Sequence, residues 1–211
     1  MRRIVVDAAS FSDRALDEAV RAIGGGGVIA LPTDTLYGLV ADPFRPDAIA
    51  RVFAVKGRVA ERALPLIAAD AAQVADRLGV MPELARRLAS RFWPGPLTLL
   101  LAAPAAMAPG VSGGTGTVGV RIPSHAVARA LCRGCGTLLT ATSANITGAG
   151  PSADPDEIER TLGDRIDLLV DAGTTPGGPP STIVDATGAS ARLIREGAIA
   201  WEEIRGYLEG V

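Results

Sequence analysis

The stretch Val28-Ile29-Ala30-Leu31-Pro32-Thr33-Asp34-Thr35-Leu36-Tyr37-Gly38 decides the fold of this chain. Its first four residues form a short apolar run between glycine and proline, which is typical of a strand buried on both faces. The polar residues that follow, including Thr33 and Tyr37, then belong to a loop at the end of that strand. A buried strand that ends in a polar loop is typical of an α/β domain, in which ligands bind at strand ends.

Three other short polar stretches follow apolar runs in the same way. They are Lys56-Gly57-Arg58, Ser143-Ala144-Asn145 and Ser181-Thr182-Ile183. A single sheet could bring all four loops to one rim, where hydroxyl groups and fixed cations would favour an anionic ligand. Lys56 and Arg58 are expected just past the last turn of a helix that begins at Pro46. The alternative for the two cations is therefore a solvated helix end, where positive charge favours the helix dipole.

Length and charge limit the possible functions. With 211 residues, the chain is long enough for one large α/β domain over 1–211. Its 21 Lys and Arg against 23 Asp and Glu argue against broad attraction to nucleic acid or membrane, but they leave room for a local basic cavity. No apolar run reaches the ~20 residues needed to cross a bilayer, and the N-terminus lacks a secretory pattern. We expect a cytoplasmic protein.

Strands alternate with helices along the chain, which predicts a twisted mixed sheet with packed helices. The predicted strands lie at 3–6, 28–31, 64–68, 97–102, 118–122, 137–141, 167–170, 182–185 and 192–195. The predicted helices begin at Ser12 and Pro46 or cover 70–78, 82–92, 125–132, about 155–162 and 201–208. The last two strands are close in sequence, so we expect an antiparallel pair there.

Several short motifs are weak evidence for a cofactor or metal site. Gly114-Thr115-Gly116-Thr117-Val118-Gly119 fits a dinucleotide pattern, but a strand follows where that motif requires a helix. Cys132-Arg133-Gly134-Cys135 has redox or zinc spacing, yet the chain has no further cysteine and only His125 as a histidine. Two partly buried thiols are therefore the favoured interpretation, and the histidine begins a helix. The chain contains no P-loop, so any use of ATP would not involve one.

Two arginines require partners. Arg121 lies inside an apolar strand and Arg195 ends another. A buried guanidinium without a partner is costly, so each should meet a carboxylate, either of the protein or of a ligand.

The motifs taken together resemble those of the YrdC-type threonylcarbamoyl-AMP synthases, in their short single-domain form. The resemblance runs from about Gly25 to Gly197. It is carried by the segments 32–39, 56–58, 93–98, 118–123, 143–145, 181–184 and 194–197. Each segment alone is weak, but seven in order and at family-like spacing identify the family.

The resemblance implies a reaction. Members of the family condense L-threonine, bicarbonate and ATP into threonylcarbamoyl-AMP and release pyrophosphate, with Mg²⁺ assisting. The product serves the N6-threonylcarbamoyladenosine modification of tRNA. In the short form, separate proteins transfer the threonylcarbamoyl group, and direct tRNA contact by this chain stays open.

The resemblance also implies site residues. ATP would be held by Lys56, Arg58, Thr117, Ser143, Asn145 and Arg195. Threonine would be held by Thr33, Arg121 and Ser181, with Tyr37 lining the pocket. Lys56 and Arg58 would be the catalytic cations, because phosphoryl chemistry of this kind needs positioned anions and neutralised charge rather than a dedicated nucleophile. The ligands of Mg²⁺ are not assigned.

The chain departs from the family pattern at three positions. Ala69 stands near the place where many members carry a histidine that contacts threonine. Thr142 and Pro180 replace a proline and an acidic residue before two of the motifs. Two other functions are therefore weighed: a non-catalytic RNA- or nucleotide-binding paralogue, and a carbamoyl-handling relative such as the module inside hydrogenase-maturation proteins.

Overall fold

The computed structural model describes residues 1–57 and 63–210. The strands are β1 (Arg2–Val5), β2 (Ile29–Leu31), β3 (Gly38–Val40), β4 (Leu66–Ile67), β5 (Leu97–Ala102), β6 (Thr117–Arg121), β7 (Leu139–Thr140), β8 (Thr142–Ser143), β9 (Leu168–Asp171), β10 (Thr182–Asp185) and β11 (Arg192–Arg195). The helices are α1 (Asp17–Gly24), α2 (Pro46–Lys56), α3 (Ala71–Leu78), α4 (Glu83–Phe92), α5 (Ala126–Cys135), α6 (Pro155–Leu162) and α7 (Trp201–Glu209). The predicted mixed α/β class is confirmed.

The described strands form two mixed sheets, where the sequence predicted one. The first sheet has the order β1-β9-β2-β3-β8, and the second has the order β11-β10-β5-β6-β4-β7. The chain changes sheets at Ala141, which separates β7 from β8 and donates its backbone N–H to the Pro65 carbonyl at 2.7 Å. The expected antiparallel pair of β10 and β11 is confirmed.

The strand β2 is buried on both faces, as its apolar run predicts. Ile29 and Leu31 pack into one hydrophobic cluster with α1 and α5, while Ala30 packs into another with α2, α4 and α7. β2 pairs parallel with β9 and antiparallel with β3. The Pro32–Gly38 loop therefore leaves from the centre of the first sheet.

Two local expectations need correction. Lys56 was expected just past the last turn of its helix, but it is the last residue of α2, and Gly57 ends the helix with a φ of 62°. Ser12 was expected to cap a helix, but it precedes a short 3-10 helix at Asp13–Leu16 and its side chain makes no capping hydrogen bond. No helix in the described part of the chain has the length and apolar character needed to span a membrane.

Gly197 offers a test of how tightly β10 and β11 are joined. A Cβ atom there would lie 2.1 Å from the Pro180 carbonyl oxygen, and this obstacle is backbone rather than a flexible side chain. We expect Gly197→Ala to lower the free energy of unfolding by about 1–3 kcal/mol in denaturant titrations. The matched control is Gly206→Ala in α7, where a Cβ meets nothing within 4 Å and should stabilise by about 0.5–1 kcal/mol. Equal effects of the two substitutions would contradict the close approach.

Candidate functional site

A cavity of about 480 Å³ is lined by residues from both sheets. The first sheet contributes the loop after β2 together with β8, and the second contributes the ends of β4, β6, β10 and β11. Six residues predicted from the sequence line it: Thr33, Tyr37, Arg121, Ser143, Ser181 and Arg195. Three of the four polar stretches thus meet at one cavity, although they come from two sheets.

Arg121 at the end of β6 meets Asp34 from the loop after β2. Its Nη1 lies 2.8 Å from the Asp34 Oδ1, and the two side chains are only 10% and 12% exposed. The other carboxylate oxygen of Asp34 accepts from the Ser124 hydroxyl at 3.2 Å. Burial lowers the pKa of Arg121, and the charge of Asp34 partly opposes that shift. The counter-charge that the sequence demanded is therefore supplied by the protein, and it ties the two sheets together.

Ser181 and Arg195 form a second polar corner of the cavity. The Ser181 hydroxyl lies 2.7 Å from the Thr98 hydroxyl, and the Ser181 carbonyl accepts from the Arg195 Nη2 at 2.8 Å. Burial lowers the pKa of Arg195. Within residues 1–57 and 63–210, no carboxylate lies within ion-pair distance of this guanidinium. It therefore presents positive charge to the cavity.

Thr33 and Tyr37 are held rigidly by the loop. The Thr33 hydroxyl donates to the Leu36 carbonyl at 2.7 Å and lies 3.2 Å from the Thr35 hydroxyl. The Tyr37 hydroxyl donates to the Gly173 carbonyl at 2.7 Å, and burial raises the pKa of this phenol. Tyr37 is thus a buried wall of the cavity rather than a mobile acid.

Lys56 is buried beneath the cavity instead of lining it. Its Nζ donates to the Ser143 carbonyl at 2.6 Å, to the Asn145 carbonyl at 3.0 Å and to the Asn145 Oδ1 at 2.8 Å. Ser143 in turn donates its hydroxyl to the Asn145 Oδ1 at 2.6 Å. The lysine therefore fixes the loop after β8 to the end of α2.

The remaining predicted residues lie elsewhere. Thr117 begins β6 while Arg121 ends it, and the Thr117 side chain contacts the Thr115 hydroxyl at 3.1 Å, outside the cavity lining. Arg58 lies outside the described residues. Ala69 lines a different cavity, which is discussed below.

Sequence reasoning missed Asp34 and Thr98. Both carry polar atoms at the cavity, as partners of Arg121 and Ser181 respectively. Asp34 could have been predicted as the partner of Arg121, because it lies in the polar loop after β2 and a buried arginine requires a carboxylate. Thr98 stands in the family segment 93–98, but nothing in that segment indicated that its hydroxyl would meet Ser181.

The cysteines and the histidine take no part in this cavity. Cys132 is fully buried and Cys135 is partly buried on α5. Burial raises the pKa of both thiols, that of Cys135 to about 12. Burial also lowers the pKa of the His125 imidazole, against a smaller opposing effect of Asp34. The described residues contain no cluster of three or more metal-ligating side chains.

The fold and cavity define an α/β protein with a cation-bearing site between two mixed sheets. The family model Sua5_yciO_yrdC, described as "Telomere recombination", matches residues 21–197. The chain belongs to the Sua5/YciO/YrdC family.

Individual relatives agree with this assignment. A Bacillus subtilis protein named "Threonylcarbamoyl-AMP synthase" is 36% identical over 205 residues, which are 97% of this chain and 59% of that protein. A Halorhodospira halophila protein of the same name is 43% identical over 145 residues, which are 69% of this chain and 76% of that protein. The crystal structure of Pyrococcus abyssi Sua5 complexed with L-threonine matches with a TM-score of 0.90 at 32% identity, covering 98% of this chain and 60% of that one. The chain thus spans about three fifths of the Bacillus and Pyrococcus proteins.

The ion pair between Asp34 and Arg121 can be tested by removing one charge. Loss of one partner from a buried pair costs about 3–5 kcal/mol, and we expect Asp34→Asn to fall near the lower end, because the two side chains are still 10% and 12% exposed. The matched control is Asp47→Asn, an exposed carboxylate paired with the partly exposed Arg45, and it should leave the free energy of unfolding almost unchanged. Urea denaturation measures both, and a negligible effect of Asp34→Asn would contradict the structural role of the pair.

The raised thiol pKa values predict slow alkylation. Since the thiolate is the reactive form, iodoacetamide at pH 8 should modify the folded protein on the order of a thousandfold more slowly than free cysteine. Protein unfolded in guanidinium serves as the control and should react at the ordinary rate. Rapid modification of either Cys132 or Cys135 in the folded state would contradict the conclusion that burial keeps both thiols protonated and unreactive. Mass spectrometry of time points gives the rates.

Proposed function

We propose that this chain synthesises threonylcarbamoyl-AMP from L-threonine, bicarbonate and ATP and releases pyrophosphate. The observation that carries the proposal is the convergence of Thr33, Arg121, Ser181 and Arg195 on one cavity of a fold shared with threonine-bound Sua5. The names of the Bacillus and Halorhodospira relatives support the same activity.

Threonine is assigned to the corner built around Arg121. Arginine carries five N–H groups, and Asp34 accepts from one of its nitrogens, so others can meet the carboxylate of an amino acid. The Thr33 and Ser181 hydroxyls provide neutral partners for the rest of the threonine, and the Tyr37 ring closes the wall. The protein carboxylate fixes the direction of the guanidinium before the substrate arrives.

ATP is assigned to the corner between β8 and β11. Ser143 and Arg195 line the cavity directly, and Asn145 is joined to Ser143 by a hydrogen bond. Lys56 would act by holding this loop and by its nearby charge. Arg58 and Thr117 are proposed to bind ATP because the family motifs imply it. Arg58 lies outside the described residues, so no contacts are assigned to it.

The chemistry needs positioned anions rather than a protein nucleophile. The threonine nitrogen bonds to the bicarbonate carbon as water and a proton are lost, which gives N-carboxy-threonine. An oxygen of the new carboxylate then bonds to the α-phosphorus of ATP while the bond to the β-phosphate oxygen breaks, and pyrophosphate leaves. Arg121 and Arg195 hold the anionic reactants in place, and their fixed positive charges offset the negative charge that is brought together.

Mg²⁺ would enter with ATP. The described residues offer no grouping of three or more ligating side chains, and Asp34 is occupied by Arg121, so a site built from protein groups alone does not fit. Mg²⁺ commonly binds through phosphate oxygens and water instead. The product would pass, in the cytoplasm, to separate threonylcarbamoyl-transfer proteins that act on tRNA.

The proposed activity is tested by pyrophosphate release. The pure protein with ATP, bicarbonate and Mg²⁺ should release pyrophosphate only when L-threonine is added, and mass spectrometry should detect threonylcarbamoyl-AMP. Release without threonine, or no release at all, would contradict the proposal. Salt-sensitive RNA binding without turnover would indicate a non-catalytic RNA-binding paralogue. Turnover with carbamoyl phosphate in place of threonine would indicate a carbamoyl-handling relative.

The two arginines should separate the two substrates. Arg121→Gln, made together with Asp34→Asn to leave no unpaired charge, should weaken threonine binding about tenfold to a hundredfold, since bonds to charged groups contribute about 1.5–3 kcal/mol. Arg195→Gln should instead weaken binding of a non-hydrolysable ATP analogue. Calorimetry measures both affinities, and exposed Arg192→Gln on β11 serves as the control. Equal losses of both ligands in either variant would contradict the assignment.

A further inference from the structure

A second cavity, of about 390 Å³, shares no lining residue with the first. Arg121 lines the first cavity and the next residue, Ile122, lines the second. Most of its wall is apolar and includes Ala69, Met81 and Trp93. Its volume falls within the ~300–1,000 Å³ of small-molecule sites.

The apolar character of the wall is reinforced by Trp93. Its indole Nε1 donates to the Leu97 carbonyl at 2.7 Å, so the polar edge of the ring is satisfied within the fold. The rest of the ring is left as apolar surface. Met81 adds a flexible side chain that adapts to different shapes.

One cation at this cavity, Arg129, has an unpaired nitrogen among the described residues. The Nε of Arg129 is buried without a hydrogen bond, and the guanidinium makes no ion pair with any carboxylate of residues 1–57 and 63–210. Buried polar atoms without partners are rare, so this unpaired Nε indicates that the described residues do not fully satisfy the guanidinium.

The other charged residues of the wall are already engaged. Arg86 pairs with Glu83 on α4. Asp70 caps α3 by accepting from the Gln73 backbone N–H at 2.9 Å. Asp70 keeps its negative charge, but the lining has two arginines, Arg86 and Arg129, against this one carboxylate, and Arg129 is the arginine without an ion pair among the described residues. The cavity therefore favours an anion.

We propose that this second cavity binds a small amphipathic carboxylate, whose carboxylate pairs with Arg129 and whose apolar body packs against Met81, Trp93 and Ile122. The planar fork of the guanidinium matches a carboxylate bidentately, while the wall suits a chain or ring without further polar groups. This site is separate from the proposed reaction and does not rest on it.

Octanoate is the probe, and Trp93 is the reporter. The chain has two tryptophans, so Trp201→Phe in α7 leaves Trp93 as the source of tryptophan fluorescence. In that background, octanoate should give a saturable change in fluorescence, whereas octan-1-ol, which has the same chain but no charge, should bind at least tenfold more weakly. The readout is binding alone, so it is independent of catalytic activity.

Arginine variants identify the partner of the carboxylate. Arg129→Met should weaken octanoate about tenfold or more and leave octan-1-ol unchanged, and Arg129→Lys, which keeps the charge but loses the fork, should give a smaller loss. The matched control is Arg133→Met, one turn further along α5, exposed and outside the cavity. It should leave octanoate binding unchanged.

Three results would overturn the proposal. The first is no saturable binding of octanoate up to about 10 mM, which exceeds the millimolar range of weak specific complexes. The second is equal affinity for octanoate and octan-1-ol. The third is an equal loss in the Arg129→Met and Arg133→Met variants, which would indicate general attraction of an anion to the helix. If Arg129→Met does not fold, Arg129→Lys and the alcohol comparison still decide.

Discussion

The buried ion pair between Asp34 and Arg121 is the interaction on which the rest of the site depends. Asp34 belongs to the loop after β2 in the first sheet, and Arg121 ends β6 in the second. A guanidinium this deeply buried is stable only with a carboxylate beside it, so the pair fixes the distance between the sheets at the cavity. The same pair orients the remaining N–H groups of the arginine, and the chain can therefore present a rigid cation to an anionic ligand.

The cavity combines rigid and charged elements in a consistent way. On one side, Lys56 binds the loop of Ser143 and Asn145 through its buried ammonium group. On the other, Arg195 is anchored by the Ser181 carbonyl. Fixed donors need little reorganisation when anions bind, and this suits a reaction in which the main task is to bring charged groups together. The lack of a reactive cysteine or an activated histidine at this cavity agrees with that task.

Much of the fold could be predicted from the sequence, because long or fully apolar strands carry a strong signal. β5 was predicted with its observed bounds, and β2, α3 and α4 within a residue. The division into two sheets could not be predicted, since β4, β7 and β8 have two residues each and too few positions for a periodic pattern. Of the site residues that line the cavity, Thr33 follows β2, whereas Ser181 immediately precedes β10 and so departs from the expected pattern. Lys56 was placed correctly near Ser143 and Asn145, but its burial depends on packing that the sequence does not reveal.

We propose that Arg121, held by Asp34 between the two sheets, receives the carboxylate of threonine. A crystal structure of the protein soaked with L-threonine would show where this carboxylate binds. We expect it at about 3 Å from the Arg121 guanidinium, with the Asp34 ion pair intact and the Thr33 and Ser181 hydroxyls within reach of the ligand. Threonine bound with its carboxylate away from Arg121, or bound only after the Asp34 pair has broken, would contradict it.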